Sequence, residues 1–74
     1  MNNFPSGEAV ASVRKRFPAG CRVELVRMED PFTTLKAGDR GTVQHVDDIG
    51  TIFVAWDNGS GLGIALGADV VNKL

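Results

Sequence analysis

A chain of 74 residues fits one domain around one core, and folding buries only about 60% of the surface such a short chain exposes, leaving roughly 5 kcal/mol of stability. With 43% hydrophobic and 23% charged residues the composition excludes a disordered chain, and a net charge of −1 without any block of like charges excludes a polyelectrolyte arm for nucleic acid or membrane. The single cysteine, Cys21, excludes an intrachain disulfide and a Cys-based zinc site; with no long apolar stretch or signal-like start, the expected location is the reducing cytoplasm.

Residues 1–5 read as a polar, flexible tail, and Ser6 follows as the cap of a helix over 6–17 with Glu8 near its positive end. Ala9, Val10, Val13 and Phe17 form one apolar stripe, Arg14, Lys15 and Arg16 crowd the last turn, and Pro18 ends the helix. From 18 to 74 the pattern is β. Cys21, Val23 and Leu25 alternate with Arg22 and Glu24, which gives a first strand over Cys21–Met28. Residues 29–36 form a loop from which Phe32 and Leu35 fold back over an open end of the core, and Gly38 and Gly41 punctuate the turn into the second strand.

Residues 42–46 and 51–56 flank Asp47-Asp48-Ile49-Gly50, a connection suited to a hairpin. Asp57-Asn58-Gly59-Ser60 marks a second hairpin, with residues 62–66 as the returning strand; a turn at 67–69 then leads to a last strand over 70–74. Five short strands at this spacing give a mainly β fold, a small barrel whose closure removes exposed edges.

The run Phe17-Pro18-Ala19-Gly20-Cys21-Arg22-Val23-Glu24-Leu25-Val26-Arg27-Met28-Glu29-Asp30-Pro31, then Gly38-Asp39-Arg40-Gly41-Thr42-Val43, Val46-Asp47-Asp48-Ile49-Gly50-Thr51-Ile52 and Trp56-Asp57-Asn58-Gly59-Ser60, resembles an uncharacterised family of small bacterial and phage proteins, a domain of unknown function. The resemblance covers about residues 15–74 and implies a five-stranded SH3-like barrel common on phages and mobile elements, with no established activity. The sequence departs from the family's polar pattern at Phe53 and Ala55. With Ile52, Val54 and Trp56 inward, these two point outward and, with Phe32, are the candidate protein contacts.

No catalytic constellation assembles from the remaining residues, so the expectation is a non-enzymatic domain without cofactor or metal. Asp47, Asp48 and Asp57 sit in turns, where carboxylates bond local N–H groups; they lack the spacing of a calcium loop. His45 has no second histidine or nucleophile beside it, Cys21 falls on the inward alternation, and Trp56 is expected in the core. Gly59-Ser60-Gly61-Leu62-Gly63 precedes a strand and not the helix that a phosphate loop needs.

Arg14, Lys15, Arg16, Arg22 and Arg27 are the candidate contacts to nucleic acid or to an acidic partner. Residues 1–37 carry six Lys and Arg against four acids, and residues 38–74 two against five, so the halves are expected to show faces of opposite sign. The leading functional expectation is a protein-interaction module of phage or mobile-element origin that engages a host or element-encoded protein. An inhibitor of a host defence nuclease, such as the CRISPR effector Cas9, is one concrete form. The alternative is a nucleic-acid-binding accessory domain using the Arg/Lys cluster; a monomer and a homodimer are both open.

Overall fold

The computed structural model describes residues 6–29 and 33–74; the tail at 1–5 and Phe32 lie outside the described residues. Helix α1 spans Gly7–Arg16. Ser6 begins it, its side-chain oxygen accepting the Ala9 N–H at 3.1 Å, and Phe17 ends it with its N–H donated to the Val13 carbonyl. The apolar stripe fixes how the helix sits: Val10, Val13 and Phe17 are buried, whereas Arg14, Lys15 and Arg16 are exposed.

Four strands follow, β1 (Arg22–Arg27), β2 (Arg40–Val46), β3 (Ile52–Trp56) and β4 (Val70–Lys73). They form one antiparallel sheet in the order β3-β2-β1-β4, so the sheet does not close on itself and has β3 and β4 at its two ends. The fold is mainly β with one short helix, and the sheet has four strands where the sequence predicts five.

The missing strand has a local cause. Residues 62–66 touch β3 through a single bridge, in which Ile52 and Ile64 exchange both N–H···O=C bonds at 2.9 and 2.8 Å. On either side, side chains take the backbone groups that a ladder would use. The Trp56 indole N–H donates to the Leu62 carbonyl at 2.8 Å, the Ser60 hydroxyl accepts the Leu62 N–H, and the Asp69 carboxylate accepts the Ala65 N–H. The segment lies along the edge of β3 without continuing as a strand.

The core is the inward alternation of the sheet, Val23 and Leu25 from β1, Val43 from β2, Ile52, Val54 and Trp56 from β3 and Val71 from β4. Val13 from α1, Phe17 from its C-cap, Leu35 from the loop and Ile64 complete it; Cys21 packs against it half-buried. One irregularity keeps this face continuous. Val43 pairs with Val54 but His45 with Phe53, so Gln44 is an extra residue that lets both Val43 and Val46 turn towards the core.

Of the two glycines the sequence assigns to the turn before β2, only Gly38 lies outside a strand; Gly41 is the second residue of β2. Gly38 has φ +96°, the left-handed region expected of it, whereas Gly41 does not. Gly41 is needed for closeness: a Cβ there would lie 2.5 Å from Val54 Cγ1 and 2.9 Å from the Ala55 carbonyl oxygen.

Candidate functional site

A groove of about 230 Å³ opens between β4 and the segment carrying Ile64 and Leu66. Its floor is made by Phe17, Ile52, Ile64 and Val71, all buried, with Val13 of α1 on one wall. Leu66 and Val70, 45% and 39% exposed, stand at its lip. Arg16, Asp69 and Asn72 add the polar rim.

The rim is asymmetric in what it can offer. One Asp69 oxygen accepts the Glu29 N–H at 3.1 Å and the other the Ala65 N–H at 2.9 Å, so this carboxylate clips the 65–69 turn to the end of β1. The Arg16 guanidinium lies over the Phe17 ring, 5.1 Å from its centroid, and has no ion-pair partner among the described residues. The groove therefore joins apolar surface to a cation at its mouth.

The opposite face of the sheet is built differently. Phe53 and Ala55 lie on it half-buried, as the alternation requires, and the exposed His45 ring stacks on Phe53 with centroids 4.5 Å apart. Gly63 approaches from beyond the edge of β3, where a Cβ would lie 3.8 Å from the Phe53 ring. Arg22 crosses this face to make a two-bond ion pair with Asp57, at 2.7 and 2.6 Å, and also donates to the Thr42 hydroxyl at 3.1 Å. The bond from Arg22 holds the Asp57 carboxyl below its ordinary value and raises Arg22 in turn.

The family model described as a domain of unknown function, DUF4314, matches residues 6–74. The chain belongs to the DUF4314 family. No curated protein matches it.

The basic residues of this DUF4314 domain, adjacent on paper, are divided among separate surroundings. Arg14 turns to the β2–β3 hairpin, bonding Asp48 at 2.8 Å and the Val46 carbonyl at 3.3 Å. Arg16 stands at the groove, and Arg22 is held by Asp57 on the opposite sheet face. Arg27 lies at the other end of β1 across from Val70, and Lys15 is exposed on α1. The two halves of opposite charge meet at two ion pairs, Arg14 on Asp48 and Arg22 on Asp57.

The carboxylates act as turn and ion-pair groups. One oxygen of Asp47 accepts both the Ile49 and Thr51 N–H groups, closing the hairpin, and the Asn58 side chain does the same for Ser60. Among the described residues no group of three or more His, Cys, Asp or Glu is placed to hold a metal ion, and no helix is long and apolar enough to cross a membrane. Sequence reading missed the groove. Its signal was present in Leu66 and Val70, two large apolar residues beside a turn, but their convergence with Arg16 depends on where α1 packs.

Proposed function

We propose that this DUF4314 domain is a non-enzymatic protein-interaction module of phage or mobile-element origin, working in the cytoplasm on a host or element-encoded protein. The observation that carries the reading is the groove. An apolar concavity with Leu66 and Val70 exposed at its lip and a cation at its mouth is the kind of surface that binds a protein segment. An inhibitor of a host defence nuclease, such as the CRISPR effector Cas9, is one form of this function, suggested by the resemblance to phage and mobile-element proteins.

We read the fold as an SH3-like barrel opened along one seam. Counting residues 62–66 as the fifth strand position gives the spatial order 62–66, β3, β2, β1, β4, with the Ile52–Ile64 bridge marking the first neighbour pair. Closure would join 62–66 to β4, and the groove occupies that seam.

Affinity capture from a bacterial host lysate tests the function. Wild-type protein, Leu66→Glu at the groove and Phe53→Glu on the opposite face are compared, each with and without nuclease treatment. The reading expects a defined protein retained after nuclease, kept by Phe53→Glu and lost with Leu66→Glu. Loss with Phe53→Glu alone would move the contact to Phe53 and Ala55. Capture that vanishes with nuclease would transfer the function to nucleic acid through Lys15, Arg16 and Arg27.

A further inference from the structure

We infer that the groove receives an extended, acid-bearing peptide segment as an added strand on the free edge of β4. This deepens the protein-interaction reading and rests on it.

The edge is identified by following the backbone bonds of β1. In an antiparallel sheet, successive residues of a central strand bond alternately to its two neighbours. The Cys21 carbonyl accepts the Val43 N–H and Leu25 bonds Gly38 and Asp39, all on the β2 side, whereas the Arg22 carbonyl accepts the Leu74 N–H at 3.0 Å. Arg22 and Glu24 therefore face β4, where Glu24 pairs with Asn72. Asn72 and Leu74 turn inward to β1, and Val71 and Lys73 turn their N–H and C=O groups outward. The opposite end of the sheet offers no such row, because the Ile64 bridge and the bond from Trp56 N–H to the Ser60 carbonyl occupy the edge of β3. Among the described residues these groups have no backbone partner, and an unpaired edge beside a groove is the arrangement that strand addition uses, main-chain bonds supplying affinity and alternate side chains specificity.

The walls select a single strand as occupant. β4 bounds the groove on one side, while Val13 and Leu66 bound it on the other. A second copy pairing through its own β4 would bring its β1 about 4.8 Å further out. On that side the groove is lined by Val13 and Arg16 of α1 and by Leu66, which a partner's second strand would have to displace and a lone segment would not.

Charge selects the side chain. Both Asp69 oxygens are engaged by backbone N–H groups, and Arg16 has no ion-pair partner among the described residues. Lys73 adds a second cation on β4. An Asp or Glu beside alternating apolar residues complements Arg16 while its neighbours reach Phe17, Ile64 and Val71.

The probe is a phage-displayed library of random dodecapeptides selected on the folded chain, with the enriched sequences made as synthetic peptides. The expected peptides alternate apolar residues and carry an acidic one, and on binding the Val71 and Lys73 amides slow in hydrogen exchange. Arg16 is exposed, so R16E leaves the core intact; it should weaken binding by about tenfold or more, the scale of a lost charged hydrogen bond. A peptide with Lys in place of the acid should then bind R16E better than the parent. No enrichment, unchanged exchange at Val71 and Lys73, or equal binding by R16E would each overturn strand addition. The two readings fail separately: protein capture lost with Leu66→Glu beside a failed peptide test removes only this inference, and capture that survives Leu66→Glu removes the groove as an interface.

Discussion

Replacing Gly41 with alanine should push β2 and β3 apart in the middle of the core. The added Cβ would meet Val54 Cγ1 at 2.5 Å, the Ala55 carbonyl oxygen at 2.9 Å and Trp56 Cα at 3.0 Å. A side-chain rotation of Val54 relieves only the first contact; the other two atoms belong to the backbone of β3, which must move. Overpacking of this kind costs about 1–3 kcal/mol, and the backbone contacts place Gly41→Ala near the upper end. Against this, alanine narrows the unfolded ensemble by about 0.4–1 kcal/mol, leaving a net loss of about 2 kcal/mol. For a domain of this size the melting temperature should then fall by roughly 8–16 °C, which circular dichroism reads directly. Gly61→Ala is the companion variant, since nothing lies within 4 Å of its added Cβ and its φ is not positive. It should melt at or slightly above the wild-type temperature. If Gly41→Ala melted within about 3 °C of wild type, with an unchanged urea slope, the close approach of the two strands would be refuted.

Three further perturbations test other parts of the structure. Asp57 is held below its ordinary value of 3.8 by Arg22, so the pair stabilises the fold above that value and is lost as pH falls through the lowered folded one. Melting measured from about pH 6 to about pH 2 should show a small acid-sensitive difference between wild type and Asp57→Asn that vanishes at the acid end, small because both partners are exposed; a constant difference would count against the pair. Ser6→Ala removes the acceptor of the Ala9 N–H and should cost about 1 kcal/mol, with faster amide exchange in the first turn of α1 and not in β2. Asp69→Ala frees the Glu29 and Ala65 N–H groups together, should cost about 2 kcal/mol, and should raise exchange at residues 65–69 before it does so in β1; uniform loosening would contradict its role as a clip.

Much of the fold is written locally. Ser6, the basic last turn and Pro18 mark the helix within a residue of its observed ends, the turn chemistry of Asp47 marks the β2–β3 hairpin, and that of Asn58 marks the turn after β3 though no strand returns from it. What escaped is non-local. The alternation of residues 62–66 reads as a strand, yet Trp56, Ser60 and Asp69 claim its backbone groups from outside the segment. Gly41 looks like a turn glycine because the atoms it must avoid belong to residues 54–56. Arg14 and Arg22 read as free cations because Asp48 and Asp57 lie 34 and 35 positions away along the chain. The groove combines both difficulties, being assembled from α1, β3, β4 and the segment between the last two.

Trp56 gives the molecule a single built-in optical label. The chain has one tryptophan and no tyrosine, and that indole is 3% exposed with its N–H on the Leu62 carbonyl. Fluorescence from the folded protein therefore reports the segment along the edge of β3 and whether water has reached the core beneath it. Val13 and Phe17 share the buried cluster with Trp56, so undocking of α1 would open the same core to water, and this one emission signal would register loss of the helix and loss of the 62–66 segment alike.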